Sequence, residues 1–159
     1  MKQRLFYGLV LLMLSTVAMG ARKKAPKQEL WPNGEPMAAW FTDTAKVDVA
    51  KLGKRYVLTA YGVRQGTTDI QTKQIQDVID RAASQGGGVV VVPKGTFYTG
   101  SLFFRQGTHL YIEEGGVLKG SERVHDFAIR ETRIEGQTCK YFTALVNADS
   151  INGFTIAGK

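Results

Sequence analysis

The sequence predicts a mainly β protein, a right-handed parallel β-helix (a solenoid) with one capping α-helix over its N-terminal end. Three observations predict it. From Val89 to Leu118, 30 residues hold at least five strand-like runs separated by Gly-bearing turns. Those runs are short even for a β-sandwich, whose strands average about 5–6 residues, and no helical pattern interrupts them, which favours a coil turning a corner every few residues. The one convincing helical pattern stands just before them, where a solenoid needs cover for an open core and an unpaired strand edge.

The N-terminal segments come first. Lys2 and Arg4 precede an apolar run from Leu5 to Leu14 that tails through Val17, and Ala18 and Gly20 lead to a cut before Ala21. A basic start, a short apolar middle and a small-residue exit predict a signal peptide over residues 1–20. The run is shorter than the ~20 residues that span a bilayer, so export to the periplasm or outside the cell is expected, without a stable membrane anchor. Residues 21–29 form a basic linker containing Arg22, Lys23, Lys24 and Lys27. These cations account for much of the formal charge of +7 on 159 residues; from Gln28 onward, 15 Lys and Arg face 14 Asp and Glu, a net of +1. No aromatic residue interleaves with the basic run, so the stacking half of a single-strand nucleic-acid site is missing, and nucleic acid is not expected as a partner. A single Cys, Cys139, excludes an intramolecular disulfide framework, and no Cys/His cluster has zinc spacing.

Residues 30–58 read as an ordered but irregular arm. It holds a turn at Trp31-Pro32-Asn33-Gly34 and an apolar pair at Trp40-Phe41, aromatic residues that could line a sugar site but more commonly pin an arm to a core. A first strand is expected from Tyr56-Val57-Leu58 together with Tyr61. The β-helix domain is assigned to residues 59–159, with its capping helix at about 69–85. Thr68 and Gln71 have capping-box spacing; Ile75, Val78, Ile79, Ala82 and Ala83 fall on one face; Gly86-Gly87-Gly88 stops the helix. Strands follow at Val89–Val92, Thr96–Thr99, Leu102–Phe104, His109–Ile112 and Val117–Leu118. A polar excursion runs from Ser121 to Lys140, before further strands at Phe142–Val146 and Phe154–Ile156. The 72 residues from Gly88 to Lys159 correspond to three coils at ~20–25 residues each, and the sequence reads as stopping in mid-solenoid with no cap at the far end.

One ordered series of residues then carries a resemblance. It comprises Tyr61-Gly62-Val63, Thr68-Asp69, Gln76, Ile79-Asp80, Ala82-Ala83, Gly86-Gly87-Gly88, Val91-Val92-Pro93-Lys94-Gly95-Thr96-Phe97, Thr99-Gly100-Ser101-Leu102, Leu110-Tyr111-Ile112-Glu113 and Gly115 to Ser121. With it, the chain resembles the N-terminal region of polygalacturonase-type glycoside hydrolases of family 28, in the pectin-lyase-like β-helix superfamily. Trp31-Pro32-Asn33-Gly34 and Glu131-Thr132-Arg133-Ile134-Glu135-Gly136 are similar to the gut-bacterial branch. The resemblance implies inverting hydrolysis of α-galacturonosyl linkages in pectin, without metal or other cofactor. The motifs that carry this chemistry in the family, Asn-Thr-Asp, Asp-Asp, Gly-His-Gly and Arg-Ile-Lys, do not occur in this sequence. No residue is therefore assigned as catalytic, cofactor-binding or metal-ligating, and the chain as given is expected to be inactive. Two alternatives stand beside it: a pectate-lyase-like fragment, which would need Ca²⁺ and an Arg base on later coils, and a non-catalytic short β-helix used for binding or structure.

Glu113-Glu114 are expected in a solvated turn, Asp69 at the helix start, and Asp126 and Asp149 near strand ends. His109 and His125 are expected as surface or hydrogen-bonded histidines, having no Ser or Cys nucleophile arranged around them. Cys139 is expected as a small buried filler. Arg105, Lys119 and Arg123 are the cations that could meet a uronate chain.

Overall fold

The computed structural model describes residues 28–43 and 45–159. The expected signal peptide and most of the basic linker lie outside the described residues. The chain divides into two compact units, one ending at Ala45 and the other spanning Lys46–Lys159.

In the first unit, Leu30 and Pro36 form an antiparallel bridge around the turn expected at Trp31–Gly34. The Gly34 amide donates to the Trp31 carbonyl at 2.8 Å. A single helical turn, α1 (Ala39–Thr42), follows. Trp40 stacks on Phe41 with centroids 3.6 Å apart, and Trp31 meets Phe41 edge-on at 5.0 Å.

The second unit is mainly β. Strand β1 (Arg55–Val57) precedes helix α2 (Thr72–Ser84), after which come β2 (Gly88–Val92), β3 (Gly95–Thr99), β4 (Leu102–Phe103), β5 (Thr108–Ile112) and β6 (Gly116–Gly120). Then follow β7 (Ile129–Ile134), β8 (Gln137–Phe142), β9 (Val146–Asn147) and β10 (Ile156–Gly158). One parallel sheet has the order β1-β2-β5-β10, and the pairs β3-β6 and β4-β9 are also parallel. Each pass of the chain thus lays a strand beside its predecessor. Gly88 stands opposite Thr108 and Gly95 opposite Gly116. Leu102, by contrast, waits until Val146 for its partner, because the β7-β8 hairpin is inserted in that pass. This corrects the coil count: the segment 121–145, which holds the hairpin, takes up the length of one expected coil, leaving two passes and the start of a third.

The run Val89–Val92 lacks polar alternation because both faces of β2 are covered. Val90 and Val92 pack with Phe97, Leu102, Leu110 and the apolar face of α2, whereas Val89 and Val91 pack with Tyr111, Val49, Leu52 and Val57. Ile75, Val78, Ile79 and Ala82 of α2 are buried within the first cluster. The helix closes as expected: the Gly86 amide donates to Ala83 at 3.2 Å and that of Gly87 to Ala82 at 2.8 Å, a paired C-terminal cap. Gly87 is also required by stacking, since at φ +96° an added Cβ would lie 2.5 Å from the Gly107 carbonyl oxygen in the next pass.

Several local expectations are corrected, beginning with the first strand, which ends at Val57 because Leu58–Tyr61 form a 3-10 turn closed by Gly62. The helix begins at Thr72, and the Thr68–Gln71 capping box does not form because the Gln71 side chain is committed elsewhere. Its amide accepts from the Arg64 N–H at 2.8 Å and donates to the Arg64 carbonyl at 2.7 Å. Asp69 precedes the helix and pairs with Arg64 at 3.3 Å. The excursion from Ser121 to Lys140 is largely a β-hairpin, and the strand expected at Phe142–Val146 is divided between the ends of β8 and β9.

Candidate functional site

A polar residue can hold the passes together by imitating a peptide group, and the base of the site is built this way. Asn147, in β9, donates to the carbonyls of Ala144 at 2.7 Å and Leu102 at 3.0 Å, and its oxygen accepts from the Ala144 N–H at 3.1 Å. Ser101, 5% exposed, accepts from the Ala128 N–H at 3.2 Å and from the Thr143 hydroxyl at 2.6 Å. The Thr143 N–H in turn donates to Ala128 at 2.8 Å. These contacts clamp both roots of the β7-β8 hairpin to the start of β4.

The hairpin turns at Glu135-Gly136, both with positive φ (51° and 85°), the geometry of a tight two-residue connection. Strand alternation places Arg130, Thr132 and Ile134 on one face, and the register Arg130↔Tyr141 brings Tyr141 to that same face. All four line a groove of about 350 Å³ that also takes in Phe103 of β4 and Asp149. Glu131 contributes as well, although alternation turns its Cβ to the opposite face of the strand.

Arg130 is the cation of this groove. Its guanidinium carbon lies 4.1 Å from the centroid of the Phe103 ring, and it forms no ion pair among the described residues. Such a contact at an exposed site contributes about 0.5–1 kcal/mol and restrains the side chain without neutralising it. Tyr141 stacks on Phe142 at 4.2 Å, so its ring is held as part of a wall. Asp149 accepts from the Ser150 hydroxyl at 3.2 Å and keeps acceptor capacity for further donors. An aromatic wall, a forked cation and a carboxylate acceptor in one open groove suit a ligand with apolar faces, hydroxyl groups and an acidic substituent.

The candidates weighed from sequence mostly lie elsewhere. Of them, only Asp149 lines the groove. Arg105 pairs with Asp80 at 2.8 Å, Lys119 with the Tyr98 hydroxyl at 3.1 Å, and Arg123 with Asp126 at 3.1 Å. The Tyr98 hydrogen bond raises the Lys119 pKa. Glu113 is not left in solvent alone but pairs with Arg55. The Asp126 carboxyl is held below its usual range, first by the Ser121 hydroxyl and then by Arg123. His109 lies in β5, where Nδ1 accepts from the Thr155 N–H at 3.2 Å and burial lowers its pKa. His125 is exposed, 3.5 Å from Asp126. Cys139 is half-buried in β8 rather than a buried filler, because the two-stranded hairpin has no core of its own. Among the described residues, no group of three or more His, Cys, Asp or Glu could hold a metal ion.

Arg130, Tyr141 and Phe103 were the residues that sequence reading missed. Alternation at Arg130, Thr132 and Ile134 ahead of Glu135-Gly136 was the available signal, obscured by the charge of the segment.

No family model matches the chain. A curated relative, the iota-carrageenase of Zobellia galactanivorans, is 31% identical over 94 residues, covering 54% of this chain and 19% of the relative. A provisionally assigned glycosyl hydrolase from Parabacteroides merdae ATCC 43184 has a TM-score of 0.56 and 28% identity, over 67% of this chain and 42% of that one. The hyperthermoactive exopolygalacturonase of Thermotoga maritima gives a TM-score of 0.60 at 23% identity, over 72% and 24% of the two chains. The family 28 exopolygalacturonase of Yersinia enterocolitica gives 0.58 at 25%, over 66% and 20%. The chain therefore spans about a fifth of the length of the curated relative and under half that of each of these structures. In fold it is similar to glycosyl hydrolases, two of them exopolygalacturonases.

Proposed function

We propose that this chain is the N-terminal region of an exported polysaccharide hydrolase built on a right-handed parallel β-helix, with α-galacturonosyl linkages of pectin as its target. The observation that carries the reading is the set of in-register parallel passes under a capping helix, a fold similar to that of glycosyl hydrolases. The family resemblance of the sequence supports pectin as the substrate class, and the aromatic wall with the single guanidinium of Arg130 suits a sugar chain that carries acidic groups. The reaction is inverting hydrolysis, in which one carboxyl group protonates the leaving oxygen while another activates water across a gap that admits it. In this reading the chain supplies the cap, the first passes and a glycan-holding wall. The carboxylate pair is not assigned to it, since the motifs that carry that pair in the family it resembles do not occur in this sequence.

The test is incubation of the purified chain with polygalacturonate, followed by assays for retained glycan, new reducing ends and unsaturated uronide absorbance. Retention without either product is expected. Reducing ends lost in Glu131→Gln or Asp149→Asn would instead place the carboxylates in the groove. Unsaturated products would turn the assignment to a lyase, and no retention would favour a structural module. Export is checked by sequencing the N-terminus of the secreted product, which should begin at Ala21.

A further inference from the structure

We propose that Arg130, laid over the Phe103 ring and flanked by Tyr141, is a subsite that selects one carboxylate-bearing pyranose unit of the bound glycan. The inference rests on the reading of this groove as a polysaccharide site and adds the residue that sets its selectivity. Three features lead to it. First, the guanidinium is restrained at 4.1 Å from the Phe103 centroid, while its N–H fork is engaged by no carboxylate among the described residues. A restrained fork loses less freedom on binding a planar carboxylate, which it can meet with two parallel hydrogen bonds. The other basic residues weighed for this role, Arg105, Lys119 and Arg123, already have protein partners.

Second, the groove is amphoteric. Asp149 lines it together with Arg130, so it does not present a broad positive field to a polyanion. Discrimination must then come from one oriented contact, with Asp149 accepting sugar hydroxyl groups beside it. Third, the Tyr141 ring is fixed by stacking on Phe142 at 4.2 Å and offers a flat face to the C–H side of a pyranose. Both arms of the site sit on the same face of the hairpin through the register Arg130↔Tyr141, so they act on the same sugar unit or on neighbouring ones.

The experiment measures binding of the full chain to three size-matched oligosaccharides: an oligogalacturonide, its carboxyl-reduced neutral counterpart and a sulfated galactan. The oligogalacturonide should bind roughly tenfold more tightly than the neutral oligomer, the range of one charge-assisted contact. Arg130→Gln should bring the acidic oligomer down to the level of the neutral one, and Arg130→Lys should restore only part of the preference because it lacks the fork. Tyr141→Ala should weaken all binding while preserving the acid-to-neutral ratio, which separates wall from selector. A structural strut at position 130 would alter affinity without altering that ratio. An unchanged ratio in Arg130→Gln, equal wild-type affinity for acidic and neutral oligomers, or equal affinity for the sulfated one overturns the subsite alone. Binding to none of the three overturns both the subsite and the polysaccharide reading.

Discussion

Gln71 is 3% exposed, and its side-chain amide takes the place of a missing strand partner for the Arg64 peptide group. Gln76 does the same for Phe103, accepting from its N–H and donating to its carbonyl, each at 2.8 Å. Gln106 repeats the arrangement with Asn152, at 3.0 Å for both bonds. In short strands, where turns leave many backbone groups unpaired, an amide side chain that both donates and accepts is the group that can satisfy both ends of a peptide unit. Gln71→Ala should therefore destabilise the fold by about 2–3 kcal/mol, through loss of two buried hydrogen bonds, measured by urea denaturation. The spacing of Gln71 from Thr68 suggested a helix cap, and only the position of Arg64 reveals the competing use.

At the scale of elements, α2 and the hairpin differ in how far sequence revealed them. The helix carries its own instructions: an apolar face at Ile75, Val78, Ile79 and Ala82 and a glycine stop. The strands from β2 to β6 were equally legible, because glycine turns bound each short apolar run. The β7-β8 hairpin was not, since its two strands are exposed along nearly their whole length and show little hydrophobic contrast. A two-stranded ribbon is marginal alone, and this one depends on Ser101 at its roots. Ser101→Ala should accelerate amide exchange in Ile129–Ile134 and Gln137–Phe142 by roughly tenfold while β2 and β5 keep their protection. Equal acceleration in all four strands would show that Ser101 supports the whole fold.

The molecule as a whole depends on ties between successive passes, and one of them titrates. His109 in β5 accepts the Thr155 N–H, which orders the segment leading into β10. Burial lowers its pKa from 6.5, so the unfolded chain takes up a proton before the native one does. Stability contributed here is present above 6.5 and is lost as pH falls below it. Urea midpoints measured at about pH 7.5 and about pH 5.5 should differ, with the acidic one lower, and His109→Gln should reduce that difference. Asp126 acts in a separate window: its lowered pKa gives stability that is present above 3.8 and lost as pH falls through the native value. A slope confined to the carboxylate range would assign the acid sensitivity to Asp126 and remove His109 from it.

By itself the sequence determined the order of helix and short strands, the glycine turns and the all-apolar β2, because these depend on local periodicity and on which residues tolerate a sharp turn. It also placed the net charge near neutrality beyond Gln28. The tertiary structure decided which strands become neighbours, how much of the chain leaves the passes as a hairpin, and where Arg130, Tyr141 and Phe103 meet. Phe103 and Arg130 stand 27 positions apart, in segments that share no period. Their contact exists because β4 and the hairpin roots are joined through Ser101 and Asn147, a relation set by hydrogen bonds between passes that no local pattern encodes.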